Sequence, residues 1–271
     1  MGTAHVLEAI RRLNKKVYAV LITSDKCYEN VEWKWGYRES DRVGGKDPYS
    51  ASKGAAEVVI HGFCQSFFNK NGGRYAGESQ ICSTRAGNVI GGGDWAERRI
   101  VPDAYRAWSQ NKPVVIRSPN ATRPWQHVLE ALSGYLCLGM QMCINPEIHC
   151  EAYNFGPNAD QNKTVVELLD QLATHAEYSK QKEYVQIEQQ QNFHEAGLLK
   201  LNCDKALFDL QWKPVLRFEQ TAEFTASWYQ KYYRSINENT KTDSQMLNFT
   251  IEQIKSYCEI ASKLKLDWTQ H

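Results

Sequence analysis

The chain has 271 residues, a formal net charge of +1 and a charged fraction of 23%. Such a near-neutral balance gives no basic field for nucleic acid, so nucleic acid is not an expected partner. No apolar run approaches the ~20 residues that a membrane-spanning helix needs. The N-terminus also lacks the apolar core of a signal peptide, so we expect no membrane partner and a cytoplasmic location.

In chain order, the hydrophobic pattern predicts strands that alternate with helices, which is typical of an α/β fold with a parallel sheet. The predicted strands lie at 17–22, 79–84, 114–116 and 153–155, and the predicted helices at 49–68, 100–108, 128–143, 165–175 and 221–233. The polar stretch 234–245 has the composition of a linker. Beyond it, helical spacing over 248–264 predicts a terminal helix that docks on the body of the protein.

Polar residues follow directly on the first predicted strand, as Thr23, Ser24 and Asp25. The C-terminal end of a buried parallel strand is where α/β folds place their ligands. Further on, the spacing of Tyr49 and Lys53 places both side chains on one helix face, one turn apart. An ammonium beside a phenol lowers the pKa of the tyrosine, so we expect Tyr49 to act as a general base.

Five blocks of sequence carry a resemblance to a known family. They are Thr23 to Asn30, Trp33 to Tyr37, Asp47 to Lys53, Arg85 to Trp95 and Ala121 to Val128. In these blocks, and through most of its length, the chain is similar to the extended short-chain dehydrogenase/reductase family, within it to the group of CDP-glucose 4,6-dehydratases. The resemblance implies a Rossmann-like, doubly wound parallel sheet with a smaller C-terminal substrate-binding domain.

The resemblance also implies a division of the chain into three parts. Residues 1–100 would form the C-terminal part of the NAD-binding domain and carry the catalytic residues. Residues 101–233 would form mainly the sugar-nucleotide-binding domain, with some strands returning to the sheet. Residues 234–271 would form a linker and a C-terminal helix.

One feature of the family is missing from this sequence. Family members open with a strand and a glycine-rich turn that holds the dinucleotide pyrophosphate. The dense glycine cluster here, Gly91 to Gly93, follows the catalytic blocks and lacks the G-x-G-x-x-G order. The segment from Met1 to Arg11 resembles an internal helix of the family. We therefore expect an N-terminally truncated chain that lacks roughly a hundred residues, about three strand-helix units of ~30 residues each.

The resemblance implies an NAD-dependent dehydration of CDP-glucose to CDP-4-keto-6-deoxyglucose, a step of bacterial deoxysugar synthesis for surface polysaccharide such as lipopolysaccharide O-antigen. Tyr49 and Lys53 would contact NAD, and Tyr49 would take the proton of the glucose 4-hydroxyl through Ser24. Asp25 would be the acid for the loss of water. Lys26 would serve either as the base or as electrostatic support for the enolate.

Residues in the later blocks are predicted to bind the sugar nucleotide. Arg99, Arg117 and Arg123 offer forked donors for a diphosphate, and Asn88 follows a glycine where the backbone can approach a ligand closely. His127 lies near Arg123 in sequence and is a candidate for the pocket. Family members usually form a homodimer through a helix pair that includes the Tyr49 helix, so we expect a homodimer.

Eight cysteines are present, without a C-x-x-C pair or an accompanying histidine cluster. This spacing favours reduced, mostly buried thiols and no metal site.

Two alternatives remain at this stage. Another nucleotide-sugar epimerase or dehydratase would share Tyr49, Lys53 and Asn88 but would not need the pair Asp25 and Lys26. The second alternative is a catalytically inactive fragment that binds a sugar nucleotide or a partner chain. Loss of the first strands would expose an apolar sheet edge, which favours aggregation or pairing with another chain.

Overall fold

The computed structural model describes residues 1–13, 15–68, 79–175, 178, 183–188, 198–238 and 242–269. The chain forms two compact units and passes between them several times. Unit 1 comprises residues 1–87, 131–159 and 199–213, and unit 2 comprises residues 88–130, 160–198 and 214–271. The three-part division of the sequence into domains stays a prediction.

The described residues form eight α-helices and nine strands. The helices are α1 Gly2–Arg12, α2 Pro48–Phe63, α3 Ile100–Trp108, α4 Val128–Ile144, α5 Val165–His175, α6 Asp204–Leu210, α7 Phe218–Asn237 and α8 Thr242–Lys263. The strands are β1 Tyr18–Ile22, β2 Gln80–Ala86, β3 Val89–Ile90, β4 Val114–Ile116, β5 Thr122–Arg123, β6 Gln126–His127, β7 Ala152–Phe155, β8 Lys163–Thr164 and β9 Val185–Ile187. The predicted alternation of strands and helices is confirmed.

Unit 1 is built on a parallel sheet of order β1-β2-β7. Successive residues of the central strand β2 point to opposite faces of the sheet. Ile81 packs against residues of α1 and α2, such as Leu7 and Ile60. Its neighbour Cys82 packs on the other face with Leu138 of α4. Helices therefore cover both faces of the sheet, which confirms the predicted α/β class.

Unit 2 contains short strand pairs and a larger share of helix. β3 pairs with β6 and β4 with β9 in parallel, while β5 and β8 are antiparallel. Its core includes buried aromatic side chains from α3 and α7, among them Trp108 and Tyr229, together with Leu169 of α5. Tyr105 stacks on Tyr229 with ring centroids 4.3 Å apart.

The glycine cluster of the sequence lies in unit 2, and one of its members has a packing role. A Cβ atom at Gly92 would overlap the indole ring of Trp228. That indole donates a hydrogen bond from Nε1 to the Thr250 hydroxyl at 3.0 Å. Gly92 thus makes room for a close approach of backbone to an aromatic ring on α7.

The predicted linker over 234–245 is wrong for most of its length. α7 continues to Asn237 and α8 already begins at Thr242, while residues 239–241 lie outside the described part of the chain. The polar composition reflects mainly the solvent-exposed ends of two helices, which cannot be told from a linker by composition alone. The predicted docking of the terminal helix is confirmed, because Tyr257 and Ala261 of α8 pack against Val215 and Leu216.

The eight cysteines, all of which lie in the described part of the chain, form no disulfide bond with one another. Four of them are buried, two are partly exposed, and Cys143 and Cys258 are exposed. The sequence predicted that most of the thiols would be buried, and the structure buries half of them. In the described part of the chain, no helix is long and apolar enough to span a membrane. Within the same residues, no group of three or more His, Cys, Asp and Glu side chains could hold a metal ion.

Glu130, at the start of α4, is a buried carboxylate that joins three segments of unit 2. It accepts hydrogen bonds from the backbone amides of Val215 and Leu216 and, at 3.0 Å, from the Tyr257 hydroxyl. Burial raises the pKa of Glu130 to about 7, although these hydrogen bonds act in the opposite direction. Glu130 is therefore expected to change its charge near neutral pH.

This raised pKa makes the stability of the protein depend on pH. The folded state holds the Glu130 proton up to about pH 7, whereas the unfolded state releases it near 4.5. The contribution of Glu130 is thus full below about pH 4.5 and is lost as the pH rises to about 7. Relative to a Glu130→Gln variant, the native chain should lose about 1–3 kcal/mol of unfolding free energy over that range. Urea unfolding of both proteins between pH 4.5 and 8 measures the difference. A pH-independent difference would contradict the assignment.

Candidate active site

The loop after β1 forms a single turn of 3-10 helix over Asp25–Cys27, with Ser24 as its N-cap. The Ser24 hydroxyl oxygen accepts a hydrogen bond from the backbone N–H of Lys26 at 3.2 Å. The same hydroxyl donates to Oδ1 of Asp25 at 3.0 Å. Because the capping bond fixes the hydroxyl, Ser24 is held in one orientation at the C-terminal end of the strand.

Asp25 lies inside unit 1 with only 3% of its surface exposed. Next to it, burial raises the pKa of the Cys27 thiol to about 12. Cys27 is therefore a neutral thiol at pH 7 and does not supply a thiolate nucleophile to the turn.

Tyr49 and Lys53 lie in the first turns of α2. Asp47 caps this helix and accepts hydrogen bonds from the backbone amides of Tyr49 at 2.9 Å and Ser50 at 3.0 Å. Tyr49 is 57% exposed. The ammonium of Lys53 lies 5.8 Å from the centroid of its ring. The predicted one-turn spacing of phenol and ammonium is confirmed.

The helix and the turn pack directly against each other within unit 1. A Cβ atom at Gly54 would come within 3.3 Å of the carbonyl oxygen of Cys27, so the absence of a side chain permits this close approach. The Ser50 side chain and backbone lower the pKa of Asp47, with a smaller contribution from the positive charge of Lys26. Ser24, Asp25 and Lys26 thus lie at one of two elements in contact, and Tyr49 and Lys53 lie on the other.

Unit 1 also contains a buried ion pair between Glu57 and Arg85, which was not predicted from the sequence. Glu57 of α2 is 6% exposed and Arg85 of β2 is 4% exposed. Their side chains pair at 2.8 Å between Glu57 Oε2 and Arg85 Nη2. Glu57 Oε2 also accepts from the Ser83 hydroxyl at 3.0 Å, and Glu57 Oε1 accepts from the Thr23 hydroxyl.

The other end of the Arg85 guanidinium continues this network. Its Nη1 donates to the Tyr28 hydroxyl at 2.9 Å, and that hydroxyl donates to Oδ1 of Asn154 at 2.8 Å. Asn154, on β7, donates in turn to the carbonyl oxygen of Tyr37 at 2.9 Å. The sequence contained two signals: Glu57 follows Tyr49 and Lys53 at the same four-residue spacing, and Arg85 opens one of the five blocks.

The residues predicted to bind the substrate all lie in unit 2. Arg99 and Arg117 are exposed and form ion pairs with Asp94 at 3.2 Å and Glu188 at 3.6 Å. Asn88 is partly buried, and its backbone carbonyl accepts from the Gln126 amide at 3.1 Å. Both guanidiniums are exposed and already paired with a carboxylate, and their role in substrate binding stays a prediction.

Arg123 and His127 differ from the other predicted substrate residues because both are buried. Arg123 donates from Nη1 to the Thr122 carbonyl oxygen at 2.8 Å. His127 is 2% exposed, and burial lowers its pKa to about 4, so the ring is neutral at pH 7. Its Nδ1 accepts from the Leu129 amide at 3.3 Å. A role of these two residues in substrate binding stays a prediction.

The contribution of the Asp47 cap to the stability of α2 can be tested directly. Replacement of Asp47 by Ala removes the acceptor for two backbone amides and should lower the unfolding free energy by about 1 kcal/mol. Asp47→Asn keeps a side-chain oxygen and should cost only a few tenths of that amount. Urea unfolding of the native chain and of both variants at pH 7 measures these losses of unfolding free energy. Equal losses in the two variants would exclude the capping role.

Comparison with known proteins shows the family of the chain. The family model described as GDP-mannose 4,6 dehydratase matches residues 1–225. The chain is 42% identical over 234 residues, 86% of its length, to the CDP-glucose 4,6-dehydratase of Salmonella typhimurium. It is 22% identical over 242 residues to the dTDP-glucose 4,6-dehydratase of Xanthomonas campestris pv. campestris. The chain spans 64% of the length of each of these two relatives.

Solved structures show the same fold. The dTDP-glucose 4,6-dehydratase of Bacillus anthracis in complex with NAD matches with a TM-score of 0.69 and 21% identity, over 86% of this chain and 68% of that protein. The epimerase Mth375 of Methanothermobacter thermautotrophicus matches with a TM-score of 0.71 and 21% identity, over 88% of this chain and 66% of that protein. With the family model matched over most of its length, the chain belongs to the GDP-mannose 4,6-dehydratase family.

Proposed function

We propose that this chain carries the catalytic residues for the NAD-dependent dehydration of CDP-glucose to CDP-4-keto-6-deoxyglucose. The reaction oxidises C4 of the glucose, removes water across C5 and C6 and reduces C6. The observation that carries the proposal is the contact between two elements of unit 1. One presents an exposed phenol beside an ammonium, and the other presents a capped hydroxyl beside a carboxylate.

The residues present fit the reactive end of NAD. Lys53 has three N–H donors and the Tyr49 phenol can both donate and accept, which suits a ligand rich in hydroxyl groups. These two residues would hold the cofactor. When bound, NAD would take a hydride from C4 of the sugar and return it at C6.

Tyr49 would act as the general base for the 4-hydroxyl proton, with Ser24 passing the proton between them. An exposed phenol can reach a ligand from solvent, and the Lys53 ammonium lies 5.8 Å from the centroid of its ring. Asp25 would then protonate the departing 6-hydroxyl. The hydrogen bond from Ser24 to Asp25 keeps this carboxylate next to the same hydroxyl that serves Tyr49.

Two roles are open for Lys26, as base for the C5 proton or as electrostatic support for the enolate. Its positive charge helps to lower the pKa of Asp47, which places the ammonium near a carboxylate. We assign Lys26 the electrostatic role, in which its positive charge supports the enolate. The C5 proton would then pass to the Asp25 carboxylate, which would give it to the departing 6-hydroxyl.

The identity with the Salmonella enzyme supports CDP-glucose as the substrate. Arg99 and Arg117 would meet its diphosphate, with Asn88, Arg123 and His127 as further substrate residues. We also propose that the protein forms a homodimer, that it is located in the cytoplasm and that it takes part in the synthesis of surface polysaccharide.

The purified 271-residue chain should convert CDP-glucose, but not dTDP-glucose, to a 4-keto-6-deoxy sugar in the presence of NAD.

The Tyr49→Phe variant should lose about 100-fold or more in kcat, because the general base is removed. The Ser24→Ala variant should also lose activity. Ser52→Ala is the matched control, since the Ser52 hydroxyl is exposed and donates to the Tyr49 carbonyl oxygen.

Each outcome of this assay is informative. If a folded chain yields no product, the proposal is wrong for this chain, and an inactive fragment that binds a sugar nucleotide or a partner chain is favoured. Inversion at C4 without loss of water would instead identify an epimerase.

Two substitutions at Lys26 separate its roles. Lys26→Arg keeps the positive charge but removes a group that can act as base, because arginine stays protonated in proteins. With the electrostatic role, Lys26→Arg should retain most of the kcat while Lys26→Met loses it. Equal losses in both variants would assign Lys26 as the base. Release of the C5 proton into solvent, followed by isotope exchange, shows whether the affected step is enolate formation.

A further inference from the structure

We propose that Glu57 is a positioning residue, which fixes the loop of Ser24 relative to the helix of Tyr49 through its bond with Thr23. This inference rests on the proposed function, since it concerns the geometry between two groups assigned to proton transfer. Neither Glu57 nor Thr23 needs to touch the substrate for this role.

The first observation is the location of Glu57 on α2. Tyr49, Lys53 and Glu57 follow one another at four-residue spacing, which places them on one side of the helix in successive turns. The exposed phenol lies at one end of this row and the buried carboxylate at the other. A fixed position of Glu57 therefore limits the position of Tyr49, because a helix of two turns is rigid on this scale.

The second observation is the partner of the Glu57 Oε1 atom. That oxygen accepts a hydrogen bond from the Thr23 hydroxyl, and Thr23 directly precedes Ser24. The backbone amide of Thr23 also donates to the Thr84 carbonyl oxygen at 2.8 Å, which attaches the start of the loop to β2. One carboxylate thus joins α2 to the residue next to the catalytic hydroxyl.

The third observation is that the other Glu57 oxygen is itself held in place. Oε2 accepts from the Arg85 guanidinium at 2.8 Å and from the Ser83 hydroxyl at 3.0 Å. Arg85 in turn donates to the hydroxyl of Tyr28, the residue that follows the 3-10 turn. Both ends of the segment from Thr23 to Tyr28 are therefore bonded to the same buried ion pair.

These bonds matter for catalysis because the rate of proton transfer depends on the distance between the reacting groups. A misplacement of ~1 Å between reacting groups can cost about 100-fold in rate. A buried carboxylate that is bonded to charged and hydroxyl partners cannot rotate without losing those bonds, so it serves as a rigid support for groups on either side.

Thr23 and Ser83 offer a matched pair of variants, because each donates one hydroxyl to the same carboxylate. Thr23→Val removes the bond toward the Ser24 loop and should lower kcat about 10- to 100-fold with little change in KM. Ser83→Ala removes one of the two donors to Oε2 while the Arg85 pair remains, so it should lower kcat less than Thr23→Val does, with KM near its native value. Thr23→Ser retains the hydroxyl and should restore most of the activity. Urea unfolding of all three variants controls for loss of stability.

Amide hydrogen exchange gives a readout that does not need activity. The amides of Lys26 and Cys27 bond to Ser24 in the native loop. They should exchange faster in Thr23→Val than in Ser83→Ala. If the native chain makes no product, the proposed function fails, and the exchange rates still test the positioning. Equal kinetics and equal exchange in the two variants would overturn the inference.

Discussion

Unit 1 depends on the pairing of Glu57 with Arg85, two charges that are almost wholly removed from water. Desolvation costs several kcal/mol per ion, which a buried pair recovers only when further hydrogen bonds satisfy its remaining polar atoms. Here the carboxylate takes three donors, and the guanidinium reaches a hydroxyl and a backbone carbonyl and lies 4.9 Å from the ring of Tyr28. The helix α2, the strand β2 and the loop after β1 are joined at this one point. The geometry of the candidate site therefore follows from core packing, although the site itself is partly exposed.

Unit 2 uses a buried carboxylate in a different way. Glu57 faces a guanidinium, whereas Glu130 is met by two backbone amides and a phenol. Neutral donors recover less of the desolvation cost than a counter-charge does, so the pKa of Glu130 is raised to about 7. The same kind of side chain thus forms a buried ion pair in one unit and makes the stability of the other sensitive to pH near neutrality.

The sequence predicted the long elements and the residues around Tyr49, because apolar periodicity and five blocks in order are local signals. It did not predict the short strands such as β3 and β5, which have two residues each and therefore no period to detect. It also missed α6, a helix of seven residues. It assigned no role to Glu57 or to Arg85, since only the folded chain brings them together. Burial of Arg123 and His127 was likewise not visible, because composition says nothing about which polar side chains the core encloses.

The distribution of cysteines has a practical consequence for spectroscopy. Burial raises the pKa of Cys27, Cys82 and Cys203 to about 12, and Cys64 and Cys137 are enclosed in the core. Maleimide reagents need an accessible thiolate, so they should modify Cys143 and Cys258 in preference to these five. Cys143 belongs to unit 1 and Cys258 to unit 2. A donor and acceptor dye attached to the native thiols would therefore report the separation of the two units in solution, without any engineered labelling site.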